Sequence, residues 1–241
     1  MKKGDFAAGV RAGLPIGLGY LSVSFTFGIM AAGKGLFWWQ AVLISMSCLT
    51  SAGQLAGIGI MTLPGHYLEM LISQLTINVR YSFMSISLAQ KTEKSFKGIY
   101  RWLLGFIMTD EIYAVAVSKK EVTRAYFAGL GVLPFVGWTL GTLLGVLMGG
   151  ILPDNVLSAL SIAIYAMFVA IVVPEMKKSR AVTIVVVIAA VLSCIFRFVP
   201  GIDKVPAGIS ISICAIVAAL IGALVFPVKD GEEQEESEVK E

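Results

Sequence analysis

Long apolar stretches follow one another along the chain, parted by short polar breaks, at residues 12–33, 37–63, 67–89, 102–118, 125–151, 156–174, 181–199 and 206–228. A helix needs about 20 predominantly apolar residues to span a bilayer. The pattern therefore predicts an all-α polytopic integral membrane protein of about seven or eight hydrophobic segments. Two segments depart from it: 37–63 is interrupted by Thr50-Ser51-Ala52-Gly53-Gln54, and 102–118 is short and carries Thr109-Asp110-Glu111. Broken backbone survives at membrane depth only where protein or a water-filled cavity surrounds it, so these two are expected to be broken or re-entrant. The run from Leu14 to Gly33, behind Met1-Lys2-Lys3, exceeds the 7–15 residues of a signal-peptide core and ends in no clean cleavage site. It reads as an uncleaved first span. Residues 1–228 are expected to form a single transmembrane transporter domain, and the acidic stretch 229–241 a disordered cytoplasmic tail.

Composition narrows the class without changing it. Of 241 residues, 57% are hydrophobic and only 15% charged, against about 25% charged in globular domains. No soluble domain fits beside the spans. Basic residues cluster at Lys2/Lys3/Arg11, Lys91/Lys94/Lys97/Arg101, Lys119/Lys120/Arg124 and Lys177/Lys178/Arg180. Eight simple crossings from a cytoplasmic N-terminus would leave the second cluster outside, against the positive-inside rule. Segments 37–63 and 102–118 resolve the conflict if they do not cross fully. Cys48, Cys194 and Cys214 lie in apolar runs without Cys-x-x-Cys spacing and read as small buried hydrophobes, neither a disulfide framework nor a metal site. No cofactor is implied.

Glycines fall at four-residue intervals at Gly9, Gly13 and Gly17, and again at Gly137, Gly141, Gly145 and Gly149. Such ridges let membrane helices approach backbone to backbone. Packing within the bundle is the plain reading; a seam for a partner subunit, or a sliding surface during a conformational cycle, is the sharper one. A weak internal repeat is also visible, Gly13-Leu14-Pro15 echoed by Leu133-Pro134 about 120 residues on. Repeats of this kind often flank a transporter's substrate site.

The candidate chemistry lies in polar residues inside otherwise apolar segments, where a charge costs about 3 kcal/mol or more. Gln74, Asn78, Tyr81, Ser82 and Ser85 share one helical face; they read as a cavity wall or as interhelical hydrogen bonding. Arg80 points to the other side of that helix and needs an anion, for which Asp110 and Glu111 are the nearest candidates. One carboxylate pairs with Arg80 in this reading and the other carries a proton. Thr109 is placed to cap a half-helix with both carboxylates in its first turn. Ser47, Thr50, Ser51 and Gln54, around Ala52-Gly53, suit either an unwound binding stretch or a polar helix contact.

Taken in order, Gly13-Leu14-Pro15-Ile16-Gly17, Ser51-Ala52-Gly53-Gln54, Asn78-Val79-Arg80 and Thr109-Asp110-Glu111, followed by the glycine-rich fifth segment with Trp138, resemble the AzlC-type branched-chain amino acid permeases over residues 5 to 228. In that family a Gly-Ser pair and then a small residue usually precede the glutamine, where Ser51-Ala52-Gly53 stand here, and a histidine often follows the Asn-x-Arg triplet, where Tyr81 stands. The second difference removes a proton carrier. The resemblance implies export of leucine, isoleucine and valine, with methionine as a further substrate, across a bacterial cytoplasmic membrane. It also implies a small hydrophobic AzlD-type subunit as partner. With no P-loop motif in the chain, a proton gradient or the membrane potential is the expected driving force. The residues expected to bind substrate or couple transport are Ser51, Gly53, Gln54, Gln74, Asn78, Arg80, Thr109, Asp110 and Glu111.

Other classes fit less well. An intramembrane aspartyl protease needs two membrane aspartates, and only Asp110 lies inside a segment, Asp154 and Asp203 being assigned to loops. A rhomboid-like serine protease needs a histidine deep in a span, whereas His66 sits at a boundary. A passive channel or a non-transporting scaffold subunit are the remaining alternatives to a transporter.

Overall fold

The computed structural model describes residues 4–149, 151, 153, 155, 169, 172–174, 176–202 and 204–227. The expected span 156–174 lies largely outside them, as do Lys2, Lys3, Asp154, Asp203 and the acidic tail. Among the described residues the regular structure is entirely helical: α1 (Asp5–Gly33), α2 (Trp38–Ser47), α3 (Ser51–Met61), α4 (Tyr67–Lys91), α5 (Ile99–Gly105), α6 (Asp110–Val117), α7 (Arg124–Met148), α8 (Arg180–Phe198) and α9 (Ala207–Val225). By length and composition α1, α7, α8 and α9 can each cross a membrane. Helix α4, with 25 residues, is as long as α7 but carries the polar stripe. The chain divides into two compact units, residues 1–167 and 168–241.

In the first unit α1 and α7 lie side by side and run in the same direction. A Cβ on Gly9 would strike the Tyr126 carbonyl, on Gly13 that of Leu130, on Gly137 that of Gly17, on Gly141 that of Leu21 and on Gly145 that of Phe25. The contact partners climb both helices in step. The two glycine ridges are thus one backbone-to-backbone seam inside the bundle. Gly149, the last of its ridge, is the exception; its nearest atom across the seam would be the Ala32 Cβ, 3.5 Å away.

Both interrupted segments fold back on themselves. Ala41 of α2 and Ile58 of α3 share one buried cluster with Phe27 and Ala31, in the C-terminal half of α1. The turn between them, at Leu49, packs deeper, against Tyr20 and Trp138. Helices α2 and α3 therefore dip halfway along α1 and return. Cys48 and Thr50 are extended, which stops α2, and the Thr50 hydroxyl accepts the Gly53 N–H at 3.3 Å to start α3. The sequence reading put the break at residues 50–54, but Ser51–Gln54 form the first turn of α3, because a capping threonine followed by small residues begins a helix there.

Helices α5 and α6 do the same from the opposite end. Tyr100 lies under the Arg124 guanidinium, 4.5 Å from ring centroid to charge, at the start of α7. Phe106, past the end of α5, meets Phe135 eleven residues further along α7. Thr109 then caps α6, accepting the Ile112 N–H at 3.4 Å. Ile112 and Ala116 return to a cluster with Val122 and Tyr126 at the base. Capping by Thr109, with Asp110 and Glu111 in the first turn, is as the sequence predicts.

A strap closes the base. Thr92 bridges Val122, the Val122 N–H donates to the Lys91 carbonyl at 2.8 Å, and Thr123 Oγ1 donates to the Asp5 carboxylate at 3.0 Å. The start of α1, the end of α4 and the start of α7 thus share one end of the unit, with Lys91, Lys94, Lys97, Arg101, Lys119 and Lys120 near them. Lys34 and His66 occupy the other.

In the second unit α8, capped by Ser179, packs against α9, where a Cβ on Gly222 would meet the Val185 side chain at 2.6 Å. Their outward faces, Val187, Val191, Leu220 and Leu224 among them, are exposed and apolar, as lipid-facing surface is. Arg197 closes the last turn of α8, where it can snorkel. Of the three free cysteines only Cys214 is buried; Cys48 is half-buried and Cys194 exposed, so the uniform burial expected of them does not hold.

Candidate functional site

The two hairpin tips, 48–50 and 106–109, meet beside the middle of α4. Between them lies a cavity of about 330 Å³, at the small end of the range for ligand pockets. Its polar wall is Ser47, Thr50, Asn78, Tyr81, Ser82 and Ser85; its apolar wall is Leu49, Phe106 and Met108, with Cys48 between. Four of the five residues of the α4 stripe thus face one space, which is the cavity reading of that stripe.

Gln74, the fifth, does not line it. Its Nε2 donates to the Gly53 carbonyl at 2.8 Å and its Oε1 accepts from Asn78 Nδ2 at 3.1 Å, which fastens α3 to α4 and orients Asn78. Asn78 Nδ2 also donates to the Gln74 carbonyl at 2.9 Å. This leaves Asn78 Oδ1, a buried acceptor, without a hydrogen-bond partner. Such atoms are rare, since an unsatisfied buried acceptor costs about 1–3 kcal/mol. Gly53 is required by the close approach of α4: a Cβ there would lie 2.8 Å from Gln74 Oε1 and 2.7 Å from Thr50 Cγ2.

Gln54 is buried and fully occupied. Its Nε2 donates to the Cys48 carbonyl and, at 3.3 Å, to that of Ile44, while its Oε1 accepts Trp138 Nε1 at 3.2 Å. It ties the first hairpin to α7 and does not reach the cavity. Ser45 and Thr142 add a second buried tie at 2.7 Å. Ser51 is half-buried at the start of α3 and outside the cavity wall.

The charged residues form a second layer. Arg80 and Asp110 pair at 2.7 Å across α4 and α6, with side chains 40% and 37% exposed. Arg80 also lies over the Tyr81 ring, 5.1 Å from its centroid. The pair is incomplete, because Arg80 Nε and Asp110 Oδ1 are both buried without partners. Glu111 takes a different partner: the phenolic proton of Tyr20 is shared between the Glu111 carboxylate and Thr109 Oγ1, the latter at 2.6 Å. Tyr20 packs edge-on against Trp138 at 5.1 Å. Asp110 and Glu111, adjacent in sequence, therefore serve α4 and α1 respectively.

Of the nine residues singled out in the sequence, Asn78 alone lines the cavity. Gly53, Gln54, Gln74 and Thr109 hold its walls, and Arg80, Asp110 and Glu111 tie its tips to α4 and α1. Tyr20 escaped sequence reasoning, and Trp138 entered it only as part of the family resemblance; an aromatic with a polar tip inside an apolar span was the signal for both. Among the described residues no group of three or more His, Cys, Asp or Glu could hold a metal ion, and His66 bonds Glu69 at 2.7 Å at the far end.

A helical membrane protein with two opposed re-entrant hairpins around a polar cavity is the class that fold and site define. Comparison with known proteins supplies the family. The family model described as "AzlC protein" matches residues 15–152. An uncharacterized membrane protein of Archaeoglobus fulgidus is 35% identical over 182 residues, covering 73% of this chain and 78% of that one. The chain belongs to the AzlC family, whose members are membrane proteins linked to transport. It is also 22% identical to the inner membrane protein YgaZ of Escherichia coli K12 over 227 residues, 90% and 91% of the two chains. An uncharacterized membrane protein of Helicobacter pylori J99 is 26% identical over 156 residues, 60% and 66% of the two. No solved structure matches.

Proposed function

We propose that the chain is a secondary transporter, not an enzyme, that exports leucine, isoleucine, valine and methionine across the bacterial cytoplasmic membrane, together with a small AzlD-type membrane subunit. Residues 1–228 act as its transporter domain. The observation that carries this reading is a cavity with one polar and one apolar wall, lined by Asn78, whose buried Oδ1 has no hydrogen-bond partner. An amino acid supplies what each wall lacks. Its ammonium donates to Asn78 Oδ1, its carboxylate meets the N-terminal amides of α3 beside Thr50, and its aliphatic side chain lies on Leu49, Phe106 and Met108. A half-helix N-terminus favours an anion through its unpaired N–H groups and dipole.

The driving force acts through the carboxylates. Asp110 pairs with Arg80 across α4 and α6, and Glu111 accepts the Tyr20 hydroxyl from α1, so each carboxylate links the second hairpin to a different helix. Basic residues crowd the end that holds the N-terminus, which by the positive-inside rule faces the cytoplasm.

Cys48 provides the test. With Cys194→Ala and Cys214→Ala in the full chain, leucine is expected to slow alkylation of Cys48 by a permeant maleimide. Leucine efflux from proteoliposomes, with the small subunit present, is expected to saturate and to respond to an imposed pH gradient. Asn78→Ala is expected to weaken both about tenfold, the equivalent of about 1.4 kcal/mol. Unprotected Cys48 and no flux from folded protein would sink the assignment; flux that never saturates would mean a channel.

A further inference from the structure

A second cavity, of about 250 Å³, lies between α4, α5 and α7 on the side of the basic end. It shares Ser85, Gly105 and Met108 with the central cavity, so these residues form the partition between the two. Apart from Thr92 its remaining walls are apolar, Leu88, Phe96 and Phe127 among them, and it holds one charged residue, Arg101. Of the other cations at this end, Arg124 pairs with Glu93 at 3.3 Å and Lys91 donates to the Val117 carbonyl at 2.8 Å. The Arg101 guanidinium has no hydrogen-bond or ion-pair partner among the described residues.

We propose that this second cavity is the cytoplasmic vestibule of the transport path, where Arg101 holds the carboxylate of an aliphatic amino acid and Met108 closes the way to the central cavity. The proposal rests on the transport reading above. A guanidinium beside an apolar cleft matches an amino acid whose two ends are an anion and a hydrocarbon. The partition is built to yield. Met108 is an unbranched, adaptable side chain at the hairpin tip, and nothing lies within 4 Å of the place a Cβ on Gly105 would take. A bulky residue at 105 can therefore project into the passage without displacing backbone.

The test uses the full chain together with the small subunit in phosphatidylcholine vesicles, with Ala89→Cys as the vestibule reporter in the background free of Cys194 and Cys214. A membrane-impermeant thiol reagent is expected to reach it from the face that carries the basic residues. Leucine slows that labelling, and L-leucinamide, which lacks the carboxylate, does not. Arg101→Gln raises the KM for leucine presented at that face about tenfold with kcat nearly unchanged, and Arg101→Lys restores part of the loss. Gly105→Phe stops flux in protein that still folds. Two results would overturn the proposal. One is labelling of Ala89→Cys that leucine never slows while Cys48 remains protected, which leaves the transport reading intact and removes the vestibule. The other is an Arg101→Gln effect seen only when phosphatidylglycerol is added, which makes Arg101 a lipid-headgroup site.

Discussion

At the scale of single residues, the Arg80–Asp110 pair joins α4 to α6 while each partner keeps one unsatisfied atom. Removing one member of a buried pair strands a charge, whereas removing both does not. Arg80→Gln or Asp110→Asn alone is expected to cost about 1–3 kcal/mol. That is less than the 3–5 kcal/mol of a fully enclosed pair, since both side chains remain over a third accessible. The double variant should recover most of the loss when unfolding is followed in detergent. Glu93, in the basal strap, responds to pH instead. The Ser95 hydroxyl, then the Arg124 backbone N–H, hold its carboxyl below the usual carboxylate range. Its folded value is therefore the lower one, and its contribution to stability is complete above the unfolded value and fades as pH falls through the folded one. Thermal unfolding of wild type and Glu93→Gln should accordingly differ at pH 7 and converge in acid. Residue-level reading of the sequence succeeded where the rule is local. A threonine ahead of two carboxylates caps a helix, and an arginine inside a span needs an anion. It failed for Tyr20, whose partners Thr109 and Glu111 lie 89 and 91 positions away.

At the scale of elements, the seam between α1 and α7 leaves no room for a β-carbon. Gly141→Ala would press on the Ser24 hydroxyl and the Leu21 carbonyl; overpacking of this kind costs about 1–3 kcal/mol. Gly19, on the same α1, has nothing within 4 Å, and Gly19→Ala is expected to be neutral or to gain up to about 1 kcal/mol of helix propensity. Opposite signs in detergent melting temperature would separate seam glycines from incidental ones. The sequence displayed this seam through its four-residue spacing, because membrane helices that touch must do so through small residues. It also displayed both interruptions, but hydropathy carries no direction. A segment that dips and returns has the same apolar profile as one that breaks and continues, and only the shared cluster of Ala41 and Ile58 separates the two.

At the scale of the molecule, the first unit has two ends. Lys34 and His66 share one, while Lys94 and Lys119 share the other with the start of α1. Single cysteines at these four positions should label from opposite sides in those pairs in right-side-out vesicles. Eight simple crossings would instead separate Lys34 from His66 and Lys94 from Lys119. The positive-inside conflict in the sequence already pointed to this arrangement, since charge placement records which loops share a side even where span count does not. The seam also has a mechanical consequence. Two helices locked carbonyl to glycine along their length move as one body, so they form a stator against which other parts turn. On the transport reading proposed above, the hairpins, held to that stator by side-chain hydrogen bonds from Gln54 and Tyr20, are the parts that would move. Access to either side of the membrane would then change by the swing of a hairpin tip, over a frame whose own dimensions stay constant.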